Sequence, residues 1–202
     1  MVQERGRGSR DEEIYQPLLR TTDGFMHETH VGPVNSIDCS PYHRSLFVTG
    51  GQDGVVRLYH MLDRTPLLEW SPSPVAGTAG VNDAFSPITA VQFSPIRPCV
   101  FAVSSADGFV YIYDLIQGST PVVILEVPVD ASGSKKGRVS ITAVAFNRKQ
   151  RDLLSACDLA GKVHVWRLGW KIANVHAGEQ EYLDSLGNAL VGAEELESES
   201  KR

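Results

Sequence analysis

The chain has 202 residues, of which 42% are hydrophobic, enough for a sizeable core in one or two domains. Its formal net charge of −5 and pI near 5.7 argue against a nucleic-acid backbone or an anionic membrane as the main partner, because both reward clustered Lys and Arg. No apolar run approaches the roughly 20 residues of a membrane-spanning helix, residues 1–13 lack the apolar stretch of a secretory signal, and the widely spaced Cys39, Cys99 and Cys157 suit a reducing compartment better than a disulfide framework.

Residues 1–29 read as an N-terminal segment whose end, Phe25 to Glu28, is expected to supply the last strand of a preceding unit. From Val34 onward one pattern is written three times. Its first block runs Val34 to Pro41, Ile88 to Pro95 and Ile141 to Asn147, with apolar and polar residues alternating as in a half-buried strand. Cys39 takes the slot of Phe93 and Phe146 and is expected to be a small buried apolar residue. A turn rich in Ser, Pro and Asn follows, then a second apolar run starting at Leu46, Val100 and Leu153. The next turn carries Asp53-Gly54 or Asp107-Gly108, the residues of tight hairpins, and Ala160-Gly161 in the third copy. A third strand returns through Tyr59, Tyr113 and Trp166, and a fourth is expected at Pro66 to Trp70, Pro121 to Val127 and Trp170 to Val175.

The step from Cys39 to Tyr59, Phe93 to Tyr113 and Phe146 to Trp166 is 20 residues in every copy. The outer step is 54 and then 53 residues, from Ile37 to Val91 to Val144. Its excess falls in the Gly/Ser/Pro-rich stretches 71–85 and 130–139, both between one unit and the next. Four antiparallel strands with no covering helix make a sheet that must be covered by its neighbours, which predicts units at about 30–70, 86–127 and 139–175 stacked face to face. Residues 176–202 form an acidic tail, in which Leu183, Leu186, Leu190 and Ala193 fall near one face of a short helix.

These residues resemble the WD repeats of a β-propeller, although the dipeptide that names them stands here as Tyr59-His60, Tyr113-Asp114 and Trp166-Arg167. The resemblance implies an all-β propeller and, in the first copy, a buried hydrogen-bonded set of His30, Thr49, Asp53 and Tyr59. The second copy has Val103 where the hydroxyl stands and the third has Ala160 where the Asp stands, so both are expected to rest mostly on apolar packing. The wording of the blades, from His30 through Gly50-Gly51-Gln52-Asp53-Gly54 to Tyr59 and again in Phe93-Ser-Pro-Ile-Arg97-Pro-Cys-Val-Phe-Ala102, is similar to dynein intermediate chains, closest to the cytoplasmic dynein 2 branch that serves retrograde intraflagellar transport.

That resemblance covers about residues 29–168 and implies a non-catalytic subunit of the cytoplasm, cytoskeleton and cilium, including basal body and axoneme. Its propeller would grip the dynein heavy chain, and other intermediate and light chains would join through regions outside this sequence. A propeller closes with typically 4–8 blades, so three clear blades are expected to be part of a larger propeller. The generic fold also permits an adaptor in another complex, such as a ubiquitin-ligase substrate receptor or a trafficking coat.

Site chemistry is sparse. His27 and His30 are three apart, which is not the His-Glu-x-x-His spacing of a zinc helix, and Gly50 to Gly54 joins two strands without the Lys and helix of a phosphate-binding loop. No nucleophile elbow or Cys-x-x-Cys occurs. The expectation is no enzyme activity, no cofactor and no metal. Two basic clusters, Lys135, Lys136 and Arg138, and Arg148, Lys149 and Arg151, are the candidate interface for an acidic partner, with Tyr42, Tyr111 and Trp170 as candidate aromatic anchors.

Overall fold

The computed structural model describes residues 26–72, 86–127 and 138–188. Three antiparallel sheets follow one another along the chain. The first has strands β1 (Val34–Cys39), β2 (Leu46–Gly51), β3 (Val56–His60) and β4 (Leu68–Trp70) in sequential order. The second repeats it with β5 (Ile88–Phe93), β6 (Val100–Ser105), β7 (Phe109–Asp114) and β8 (Val123–Glu126). Among the described residues the third has β9 (Ile141–Phe146), β10 (Leu153–Asp158) and β11 (Val163–Arg167) and no fourth strand. These are the blades of a WD-repeat propeller.

The third blade corrects one expectation. Where a fourth strand was predicted at Trp170 to Val175, the chain instead forms the one-turn helix α1 (Trp170–Ala173) and then α2 (Glu179–Asn188). Trp170 is the first residue of that turn and is mostly exposed, so the aromatic that suggested a buried strand has no sheet to pack on. A second correction concerns the N-terminal segment: Met26 to Glu28 is not a strand of another sheet but a coil on the first blade, where the Glu28 N–H donates to the Arg64 carbonyl at 2.7 Å. The described part of the tail helix is Glu179–Asn188, and Leu190 and Ala193 lie outside the described residues.

Register explains the constant inner step. Cys39 and Tyr59 both pair with Phe47, Phe93 and Tyr113 both pair with Phe101, and Phe146 and Trp166 both pair with Leu154. Each row crosses a blade on one face. The turns between second and third strands place Gly54, Gly108 and Gly161 at φ of 74°, 88° and 81°, a left-handed conformation that glycine adopts without the penalty other residues meet.

Cores form between blades. Val48, Val56 and Leu58 of the first meet Val91, Phe93, Phe101 and Val103 of the second. In the same way Val110 and Ile112 of the second meet Ile141, Val144 and Phe146 of the third. Each blade therefore presents one set of apolar slots backward and another forward, and among the described residues the backward side of β1 and the forward side of β11 stand open. Ile37 is 62% exposed where its counterparts Val91 and Val144 are 5% and 8%, and Val163 and Val165 are 66% and 61% exposed where Val110 and Ile112 are both 0%. This overturns the expectation for Cys39, which is exposed because no preceding blade among the described residues covers the backward side of β1.

Candidate interaction surface

In the first blade, His30 Nδ1 donates to the Asp53 carboxylate at 3.0 and 3.1 Å, and His30 Nε2 shares a 2.8 Å hydrogen bond with the Thr49 hydroxyl. Burial pushes the Asp53 carboxyl up, but the hydrogen bonds from His30 and from the Val31 and Val55 N–H groups outweigh it and hold the group below the usual carboxylate range. Tyr59 stands apart from this set: its hydroxyl donates to the Glu28 carbonyl at 2.7 Å, and Arg57 donates to the Thr29 carbonyl at 2.9 Å. His27 packs edge-on against Phe47 and Tyr59. Residues 27–30 are thus a cover for the outer part of the first blade.

The other two blades keep the turn carboxylate and change its donor. Asp107 accepts the Phe109 N–H and the Tyr111 hydroxyl, at 3.1 and 3.0 Å. In the third blade Asp158, two residues ahead of Ala160, accepts the Lys162 N–H at 2.8 Å and pairs with His164 Nε2 at 2.9 Å. The hydrogen bond from His164 holds its carboxyl low. Arg57, Tyr111 and His164 occupy the same repeat position, so a donor moved from ahead of the first strand onto the third strand. Blades two and three accordingly carry local polar locks beside the mostly apolar packing expected of them. Asp158 and His164 were legible only by allowing the carboxylate to slide along the turn.

A second buried group fixes the tail. Arg97, in the loop between β5 and β6, donates through Nη2 to Asp114 at 2.8 Å and through Nε to Glu179 at 2.8 Å, with a further contact from Nη2 to the same Glu179 oxygen. All three side chains are buried. Burial opposes the Arg97 charge, yet the Glu179 hydrogen bond and the two carboxylates hold it above its ordinary value. Beside it, burial and then the charges of Glu179 and Asp114 push the Cys99 thiol up to about 12. From this anchor α2 crosses to the first blade, with Leu183 in the core between blades one and two and Gly187 against the ring of His43. Glu179 is the residue that sequence reasoning passed over, because a carboxylate at the start of an amphipathic helix is ordinarily solvated.

The strand ends nearest these loops enclose a cleft of about 330 Å³. Its wall is Cys39, Phe93 and Phe146, one residue from each blade, with Pro41, Pro95 and Arg148 above them, again one from each. Tyr42 holds the first two loops together by donating its hydroxyl to the Pro95 carbonyl at 2.7 Å.

Of the basic candidates, Arg148 lines this cleft and Lys149 is exposed in the same loop, whose shape is set by Asn147 accepting the Lys149 and Gln150 N–H groups at 2.8 and 2.9 Å. Arg151 donates to the Asn174 side chain at 3.1 Å. Arg138 is engaged within the second blade, paired with Glu126 at 2.8 Å and lying 4.4 Å over the Phe109 ring, and Lys135 and Lys136 lie outside the described residues. Tyr111 is fully buried and is blade packing, not an anchor. Among the described residues no helix is long and apolar enough to cross a membrane, and no group of three or more His, Cys, Asp or Glu side chains is placed to hold a metal ion.

Comparison with known proteins agrees with this architecture. The family described as WD domain, G-beta repeat matches residues 22–60 and 81–114. The chain is 36% identical over 169 residues to cytoplasmic dynein 2 intermediate chain 2 of Homo sapiens and 37% identical over 169 residues to that of Mus musculus, which is 83% of this chain in each case. It belongs to the dynein intermediate chain family. The chain spans 28% of the length of those two relatives. Among solved structures, the WD40 domain of Toxoplasma gondii coronin is similar with a TM-score of 0.53 at 13% identity, covering 69% of this chain and 32% of that one, a likeness of fold alone.

Proposed function

We propose that this chain is a non-catalytic intermediate-chain subunit of a ciliary cytoplasmic dynein, whose propeller is a rigid scaffold that binds the dynein heavy chain in retrograde intraflagellar transport and cilium assembly. The observation that carries the reading is the similarity to cytoplasmic dynein 2 intermediate chain 2, which runs through all three blades. The structure supports a scaffold physically: close-packed cores join successive blades, each turn carboxylate is satisfied, and the polar groups of the described residues converge on loop shape and not on a reaction centre. Light chains and the second intermediate chain are assigned to regions beyond these blades.

The test is expression of the full tagged chain in ciliated cells. The expected result is recovery of the cytoplasmic dynein 2 heavy chain, read by immunoblot, together with accumulation of the tagged chain at the ciliary base and along the axoneme. Recovery of ubiquitin-ligase or coat subunits in place of the heavy chain overturns it.

A further inference from the structure

The cleft is made three times over from equivalent residues. Positions 39, 93 and 146 give it an apolar wall and positions 41, 95 and 148 its rim, so the third repeat places an exposed arginine where the first two have proline. Charge in the surrounding loops is one-sided. Loops 40–45, 94–99 and 147–152 carry Arg44, Arg148, Lys149 and Arg151 against Asp152, in a chain whose net charge is −5, while Arg97 is compensated by Asp114 and Glu179. Asp152 is paired with Arg167 at 3.1 Å. Asp38, the one carboxylate among the described residues that lines the cleft, is engaged by the Phe93 N–H, which donates to it at 2.7 Å.

The same loops already hold one ligand of defined chemistry within the chain. Helix α2 carries Glu179, Glu181 and Asp184 and buries Leu183, and it docks on the first two loops with Glu179 on Arg97. An acidic segment with an apolar anchor is therefore what these loops are built to take, and the third loop has its cations without such an occupant among the described residues.

We propose that the cleft between the three strand ends is a docking site for an acidic, leucine-bearing segment of a partner protein. A partner carboxylate pairs with Arg148, with Lys149 beside it, and the apolar anchor seats on the accessible lining residues Cys39, Pro41 and Pro95. This rests on the scaffold reading above, to which it adds the contact surface and the chemistry of what is contacted. Low-salt binding is favoured, because exposed cations are screened within about 10 Å at 0.1 M salt.

The experiment is fluorescence anisotropy of the full chain with three labelled peptides of equal length: one of Glu and Leu, one with Lys in place of each Glu, and one with Ala in place of each Leu. The expected result is binding of the first alone, weakened about tenfold or more by Arg148→Glu, less by Arg148→Gln, and unchanged by Leu159→Glu in the turn at the other end of the blade. Arg148 is exposed, so these variants fold, which far-UV circular dichroism checks. Equal binding of the Lys peptide, or binding indifferent to Arg148→Glu, overturns the site. The two readings fail separately. Heavy chain recovered equally with wild type and Arg148→Glu removes the cleft and leaves the scaffold, and peptide binding at Arg148 without heavy-chain recovery does the reverse.

Discussion

Gln92 Oε1 accepts the backbone N–H of Phe146 at 2.6 Å, and one blade earlier Asp38 Oδ2 does the same for Phe93 at 2.7 Å. The two acceptors occupy one repeat position, so the innermost strands are stitched blade to blade by a side chain reaching across to the next backbone. Gln92→Leu removes the acceptor and leaves the Phe146 N–H unsatisfied in a packed interface. The expected loss is about 1–3 kcal/mol in urea unfolding, and Gln92→Glu, which keeps an acceptor, loses less. Equal stability of Gln92→Leu and wild type contradicts the stitch.

Arg97 compensates two buried carboxylates at once. Arg97→Met leaves Asp114 and Glu179 facing each other without a cation, and breaking a buried pair from one side costs about 3–5 kcal/mol. Hydrogen exchange is the discriminating measurement: amides of 179–188 lose protection first, while those of β2 and β6 keep theirs. A helix that stays protected in the variant shows that apolar packing of Leu183 suffices.

Stability of the chain falls in acid. Asp53 and Asp158 titrate lower in the fold than in the unfolded chain, where an aspartate sits near about 3.9. Their contribution is complete above that value and is lost as pH drops through it, because the unfolded state then takes up the proton first. The melting temperature is expected to be level between pH 7 and 5 and to decline below about 4, and Asp53→Asn should lower the plateau and shallow the decline. A profile for Asp53→Asn parallel to wild type down to pH 3 excludes a role for that lock.

Ile112 and Val165 are the same repeat position with opposite surroundings, one fully buried between blades and one 61% exposed. Ile112→Ala is expected to cost about 2–5 kcal/mol, and Val165→Ala no more than about 0.5 kcal/mol. Matching losses at the two positions would mean that the open face of the third blade is covered in solution.

Much of this was legible in the sequence because strand alternation and turn chemistry act locally. Ile88 to Phe93 alternates, Asp107-Gly108 turns, and the structure follows both. What was not legible depends on neighbours. Cys39 reads as a core residue by its slot, yet burial is decided by whether a blade stands in front of it. Trp170 reads as a strand residue by its apolar company, yet the strand needs a partner register that Gly169 and the helical turn do not provide. Arg97 was visible as part of a phrase, but its carboxylate partner lies 82 residues away, beyond any local pattern.

The shared partner of each row, Phe47 for Cys39 and Tyr59, Phe101 for Phe93 and Tyr113, Leu154 for Phe146 and Trp166, has a consequence for how this chain can change. Adding or losing one residue within a strand exchanges inward and outward side chains beyond that point, exposing a ring such as Tyr113 and burying a neighbour chosen for water. Between blades no such parity exists, since 54 and 53 residues serve equally well from one repeat to the next. Insertions are thus filtered by location: the blade interiors keep count, and new sequence accumulates where the count restarts.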